Sequence, residues 1–165
     1  MSIPVFLEKF RDESLIVSPS YLKDRNQRAI LVFDYFNLFA SEWFSNAVKE
    51  MYGQSKLLGS AVKSGVKGEE TIIPNDVIEI YLANLDHSLD DFVVTNNCED
   101  YFLYIPQFGD YYLIAGCEEF IAKAMPVSYA TIKLQYFEGV KAEYELNGIT
   151  DHPYMDLWNI YEKIR

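Results

Sequence analysis

The sequence predicts a single α+β domain, an antiparallel sheet of about five strands with helices packed against it. Of its 165 residues, 50% are hydrophobic and 16% are aromatic, which is enough to bury a core without disulfides or metals. Apolar residues recur at helical spacing in some segments and alternate as in strands in others. No period repeats and no linker divides the chain, so we expect one domain over residues 1–165.

The first part of the chain is predicted to be mainly helical. A short helix is expected over Ser2 to Phe10. The strongest helical pattern runs from Asn26 to Tyr52, with apolar residues at steps of three and four and Gly53 as its stop. The next segment, Gln54 to Glu70, is rich in Gly, Ser and Lys and lacks aromatic anchors, which predicts a mobile basic loop.

The middle of the chain predicts one helix and then strands. The segment from Asn75 to Leu85 fits a helix, although Ile78, Ile80 and Leu82 also alternate as in a strand, and we favour the helix. Three strands follow, the last two joined by a turn over residues 107–110: Phe92 to Thr95, Tyr101 to Ile105 and Tyr111 to Ala115. The two longer strands are apolar on both faces, so we expect layers on both sides of them.

The C-terminal part predicts a helix, a second hairpin and a last helix. The helix spans Gly116 to Ala124. Strict alternation over residues 131–136 and 140–146, around a turn at residues 137–139, is typical of two half-buried antiparallel strands. The last helix is expected to begin at an Asp151 cap.

The charge of the chain is strongly negative and unevenly distributed. The formal net charge is −11, and the 55 residues from Gly68 to Ala122 contain twelve Asp or Glu but no Lys or Arg. Such a chain repels nucleic acid and anionic lipid, so its favoured partner is a basic protein. Either this segment forms an acidic face for a cationic partner, or basic residues from elsewhere neutralise it in three dimensions; we favour the acidic face.

The predicted partner-binding residues come from that cation-free segment. Its carboxylates are expected to form the rim of the surface, and two tyrosines beside the Gly109 turn are expected to form its packed centre. The set is Asp86, Asp90, Asp91, Glu99, Asp100, Asp110, Tyr111 and Tyr112. The wider aromatic group also includes Tyr101, Tyr104 and Phe108, of which we expect several to be buried and one or two to be exposed.

Catalytic and metal-binding patterns are not found in the sequence. The two histidines, His87 and His152, fit a turn and a helix cap, and their surroundings match no zinc or calcium spacing. Cys98 and Cys117 form no C-x-x-C motif. We therefore predict no catalytic residue, no metal and no organic cofactor.

The expected location is the cytoplasm. The N-terminal residues lack the basic and small-residue pattern of a secretory signal, and no apolar run is long enough to span a bilayer. Two cysteines in a chain of this size are no disulfide framework, so we expect reduced thiols.

A small acidic α+β chain with a tyrosine-rich acidic stretch, as in Asp86 to Glu119, resembles the immunity proteins of bacterial toxin systems, including those paired with contact-dependent inhibition toxins. The resemblance is one of type over the whole chain, and no motif carries it, so it transfers no family residues. It implies that the basic partner is a cognate toxin. Such toxins are often nucleases, whose active sites are basic because they hold phosphates.

Two other functions remain open from the sequence. One is a small enzyme that acts through unidentified carboxylates on a cationic or neutral substrate. The other is a DNA mimic, which needs carboxylates spaced along an elongated surface; the apolar strands favour a compact body instead.

Overall fold

The order of strands and helices is taken from a computed structural model, which describes residues 3–11, 14–107, 109–148 and 153–165. The strands in these ranges are β1 (Leu7–Lys9), β2 (Leu15–Val17), β3 (Arg28–Val32), β4 (Lys56–Lys63), β5 (Val66–Lys67), β6 (Thr71–Pro74), β7 (Asp91–Thr95), β8 (Tyr101–Ile105) and β9 (Tyr112–Gly116). The helices are α1 (Pro19–Asp24), α2 (Leu38–Tyr52), α3 (Val77–Asp86), α4 (Glu118–Ala124), α5 (Tyr129–Asn147) and α6 (Pro153–Glu162).

Seven strands form one antiparallel sheet, the central sheet, in the order β3-β9-β8-β7-β4-β5, and β6 pairs with β4. All five residues of β8 are buried, as are all five of β9, because layers cover both faces. The predicted α+β class with an antiparallel sheet is confirmed. The sheet has seven strands and not the expected five, because β3, β4, β5 and β6 are additional and the two strands expected over residues 131–136 and 140–146 are helical.

One face of the central sheet is covered by α2, α3 and α4. The Tyr101 ring on β8 packs against Phe44 of α2 at 5.7 Å between centroids and stacks on Phe120 of α4 at 5.2 Å. Because side chains alternate across a strand, Tyr104 points the other way and donates its hydroxyl hydrogen bond to the Leu15 carbonyl at 2.8 Å. The β1-β2 pair, α1, α5 and α6 form this second layer.

The predicted helix over Asn26 to Tyr52 is correct only from Leu38 onward. Residues Arg28–Val32 form β3, which pairs with β9. A strand buried between two layers is apolar on both sides and therefore lacks the alternation that distinguishes it from a buried helix. Helix α2 begins after Asn37, whose side chain accepts a hydrogen bond from the Ala40 amide at 3.0 Å and caps the helix.

The predictions of an N-terminal helix and of a basic loop are also wrong. Within the expected helix over Ser2 to Phe10, Leu7–Lys9 is strand β1, and Ser2 lies outside the described residues. The expected loop from Gln54 to Glu70 contains β4, which lies between β7 and β6. Position 59 in β4 leaves no room for a side chain, because a Cβ there would lie 2.4 Å from Cδ1 of Ile73.

The second hairpin is wrong, because residues 131–146 belong to one helix, α5. Its buried residues Ile132, Tyr136, Val140 and Tyr144 recur every four positions. A step of four places residues on one face of a helix and also on one face of a strand, so the apolar positions alone fit both structures. The Ser128 side chain accepts from the Thr131 amide at 3.2 Å and caps the helix.

The predicted α3, α4 and the strands around β8 are confirmed within one or two residues. The cap of α3 is Asp76, which accepts from the amide of Ile78 at 2.9 Å, and the neighbouring Asn75 is buried. In the expected turn over residues 107–110, Phe108 lies outside the described ranges, as does the expected Asp151 cap of α6. No described helix has the length and apolar content needed to cross a membrane.

Candidate partner-binding surface

Strand direction divides the predicted carboxylates between the two ends of the central sheet. β7, β8 and β9 are antiparallel, so the start of β7, the end of β8 and the start of β9 meet at one end. Asp91 begins β7 and Asp110 precedes β9 at that end, and Asp86 and Asp90 lie in or next to the connection that leads into β7. We call this set of four carboxylates the acidic end.

Glu99 and Asp100 lie at the opposite end, in the connection between β7 and β8. A five-residue strand separates them from the acidic end by about 15 Å. The Glu99 carboxylate accepts a hydrogen bond from the Tyr21 hydroxyl, and the Asp100 carboxylate accepts from the Asn96 amide group at 2.9 Å. These two side chains organise a turn, and the six predicted carboxylates do not form one face.

No described Lys or Arg forms an ion pair with a carboxylate of the acidic end. The ion pairs in the described parts of the chain involve carboxylates elsewhere. Neutralisation by basic residues from distant segments, the alternative left open by the sequence, is therefore not observed at this end for the described residues.

Two of these charges lie where they disfavour folding. Asp86 is the last residue of α3, where the helix dipole is negative, and the last turn holds no basic residue. Burial raises the pKa of the Asp91 carboxyl, opposed by the Gln107 amide, which donates to Oδ1 of Asp91 at 2.8 Å, and by the nearby Tyr104 hydroxyl. The helix dipole disfavours the charge of Asp86, and burial disfavours the charge of Asp91.

Tyr111 and Tyr112 do not form an exposed centre, and this prediction is wrong. Their side chains are 8% and 3% exposed. Tyr112 packs edge-on against Phe36 at 5.4 Å, and Tyr111 packs edge-on against Tyr154 at 6.2 Å on the other face of the sheet. Tyr112 begins β9 and Tyr111 directly precedes it, and the sheet is covered on both sides, so each ring enters one of the two layers.

Exposed apolar side chains lie instead on α2, α3 and the segments next to them. Seven of the eleven large exposed hydrophobic residues in the described chain occur here; we call them the apolar patch: Tyr35, Leu38, Phe39, Ile78, Leu82, Leu85 and Leu89. Phe39 and Leu89 are each 70% exposed. The two helices are joined where the Ser41 hydroxyl donates to the Val77 carbonyl at 2.7 Å. Exposed apolar side chains on two helices that contact each other are typical of binding surfaces.

The sequence of α3 carries a signal for this patch. Helix α3 buries Ile80 fully, yet Ile78, Leu82 and Leu85 recur at helical steps on its exposed side. A helix that packs on one face needs only one apolar stripe. The second stripe, which also produced the strand-like alternation in this segment, indicates a second contact surface.

Two cavities open at the acidic end, on opposite sides of the central sheet, and Pro106 contributes to both. The larger has a volume of about 370 Å³ and includes Asp91, Asp110, Tyr111 and Tyr154. The smaller, about 260 Å³, is lined by α3 residues and by Tyr35 and Asp90. Carboxylates and aromatic rings therefore occur together around these openings.

His87 and Cys117, considered above as catalytic or metal-binding candidates, lie in ordinary structural positions. His87 follows α3 and its ring stacks on Phe92 at 4.9 Å, while Cys117 precedes α4. His152 lies outside the described ranges. Within those ranges, no three His, Cys, Asp or Glu side chains are grouped as ligands for a metal ion. That the protein uses no cofactor stays a prediction.

Comparison with models of known protein families, with characterised proteins and with solved structures gives no match to this chain.

Proposed function

We propose that this chain is a binding protein that holds a basic protein partner, a cognate toxin, against the apolar patch and the acidic end. The observation that carries the proposal is an exposed apolar surface bordered by carboxylates that no described cation neutralises. Protein interfaces combine an apolar centre with a charged or polar rim in this way.

The apolar and charged parts have different expected roles. Apolar side chains such as Phe39 and Leu82, 70% and 46% exposed, lose their contact with water when a partner covers them, which slows dissociation. Exposed carboxylates such as Asp86 act at longer range and accelerate encounter with a cationic surface. The net charge of −11 adds to this attraction.

The proposed inhibition of the toxin rests on the chemistry of the toxin's active site. A nuclease toxin holds phosphates in a basic active site, and a concentrated acidic surface is complementary to such a site. A DNA mimic is less well supported, because the four carboxylates of the acidic end lie beside apolar side chains, at one end of a sheet that is covered on both faces.

Association kinetics test the proposal, with the basic product of a neighbouring gene as the partner. The double variant Asp86→Lys/Asp90→Lys is expected to associate about tenfold more slowly at low salt, with a weaker salt dependence. Phe39→Ala or Leu82→Ala should instead speed dissociation, each by about tenfold.

The control is Asp24→Lys/Glu118→Lys, which changes the net charge equally at exposed positions that border the opposite end of the sheet. It should associate at close to the wild-type rate. Coexpression of the wild-type chain should also protect cells from the partner. If the two double variants slow association equally, or the chain neither binds nor protects, the proposed function is wrong.

A further inference from the structure

The larger cavity at the acidic end has the composition of a site for a planar cation. It lies between the end of β8, the start of β9 and the start of α6, and its volume of about 370 Å³ is within the range of small-molecule sites. Tyr104, Tyr111 and Tyr154 contribute aromatic surface, and Asp91 and Asp110 contribute carboxylates. Aromatic faces and carboxylates together favour cations.

The two carboxylates are held in place and keep acceptor capacity. Asp91 accepts from the Gln107 amide at 2.8 Å, and Asp110 accepts from the Tyr154 hydroxyl at 3.0 Å. Each ionised carboxylate has about four acceptor positions, so further donors can be accommodated. Fixed acceptors lose little entropy when a ligand binds.

Tyr111 supplies an independent indication that a polar ligand enters the cavity. Its side chain is 8% exposed and lines the cavity, and its hydroxyl makes no hydrogen bond to any part of the chain that the structure describes. The hydroxyl is accessible from the cavity, so a bound donor can form a hydrogen bond with it.

The described chain does not fill the cavity with a cation of its own. No Lys or Arg is among the described residues that line it. Arg11, which follows the lining residue Phe10, is held in an ion pair by Asp156 of α6.

We propose that this cavity binds a guanidinium group, held between Asp91 and Asp110 and against the tyrosine rings. A guanidinium is planar, stacks on aromatic faces, is weakly hydrated and offers several donors, whereas an ammonium is compact and strongly hydrated. That the group belongs to an arginine of the partner rests on the proposed function. The binding of a guanidinium by the cavity does not depend on the proposed function.

Titration of the intact protein with L-arginine amide, followed by amide NMR shifts, tests the site directly. Arginine amide should bind with a millimolar Kd and shift the amides around Gln107 and Tyr111. Citrulline amide, which has nearly the same shape without the charge, should bind at least about tenfold more weakly. Equal binding of both compounds, or shifts only at other places, would overturn the proposal.

Variants separate the cavity from general attraction to an acidic protein. Asp91→Asn should weaken arginine amide binding about tenfold, and Tyr111→Phe about threefold. Asp86→Asn removes the same charge outside the cavity lining and should leave the affinity unchanged. Asp110 is exposed, so Asp110→Asn serves as a second cavity variant and should also weaken binding. Equal losses for Asp86→Asn and Asp91→Asn would contradict a defined site.

The source of the guanidinium is distinguished with two further probes. A blocked Gly-Arg-Gly peptide should bind as well as arginine amide if the cavity receives a side chain from a protein. If agmatine binds and the blocked peptide does not, the guanidinium does not come from an arginine of a protein partner. Failure here leaves the kinetic test of the proposed function intact, because that test uses Asp86 and Asp90, which do not line this cavity.

Discussion

The Asp91 carboxyl shows at the scale of one residue how the acidic end departs from an ordinary surface. Burial raises its pKa above the ordinary value of 3.8, and no described cation compensates for this. The folded state therefore holds a proton on Asp91 more tightly than the unfolded state does. Above the unfolded pKa, ionisation of this carboxyl costs folding free energy, and the cost reaches its full size once the pH exceeds the folded pKa.

Asp91→Asn is therefore expected to increase the free energy of unfolding at pH 7 by about 0.5 to 1 kcal/mol. Asn keeps the oxygen that accepts from the Gln107 amide and cannot ionise. The gain should shrink as the pH falls and vanish below about pH 3, where the wild-type carboxyl is protonated in both the folded and the unfolded state. Urea unfolding of both proteins at several pH values measures it. A gain that does not depend on pH would contradict the raised pKa of Asp91. The control is Asp24→Asn, at an exposed position.

At the scale of elements, Gly139 explains how α5 packs against the segment after β3. A Cβ at Gly139 would lie 2.4 Å from Cδ1 of Phe33, whose ring also packs edge-on against Tyr136 at 5.7 Å. Glycine inside a helix costs about 1 kcal/mol relative to alanine, so its presence here needs a packing reason. The close approach of the Phe33 ring supplies that reason.

Gly139→Ala is expected to destabilise the protein by about 1 kcal/mol, because overpacking costs about 1 to 3 kcal/mol and outweighs the gain in helix propensity. Adding Phe33→Leu removes the nearest ring atoms and should recover part of the loss. The four free energies of unfolding form a double-mutant cycle with a measurable coupling energy. If Gly139→Ala stabilises the wild-type background, the contact with Phe33 is not as close as described.

At the scale of the whole molecule, charge is the dominant long-range feature. The net charge is −11, and the described ion pairs are at the surface, where each contributes about 0 to 1 kcal/mol. Repulsion among the carboxylates of the acidic end is therefore not offset locally. Salt screens such repulsion, with a Debye length of about 10 Å at 0.1 M.

Raising the NaCl concentration from about 10 to 200 mM is expected to increase the Tm by a few degrees, because screening relieves this repulsion. Asp86→Lys/Asp90→Lys should raise the Tm at low salt and reduce the salt effect, in part because a cation then lies at the C-terminal end of α3. Asp24→Lys/Glu118→Lys changes the net charge equally and should reduce the salt effect less. Thermal melts across the salt series measure both, and identical slopes for the two variants would mean that only total charge matters.

The sequence by itself determined the features that depend on local signals. The central β8-β9 pair, α3 and α4 follow from short apolar runs, caps and stops, and the α+β class follows from these elements together. The absence of cations between Gly68 and Ala122 is likewise a property of the sequence alone. These signals are local because each arises from neighbouring residues, whatever packs on them later.

Only the tertiary structure decided the identity of β3, β4 and α5, and the position of the candidate site. Burial on both faces removes the periodicity that would mark β3 as a strand, and the four-residue step of Ile132 and Tyr136 fits helix and strand equally. The antiparallel course of β7 and β8 placed Glu99 away from Asp91, and the two covering layers buried Tyr111. Each of these outcomes depends on what packs against a segment, which its own residues do not specify.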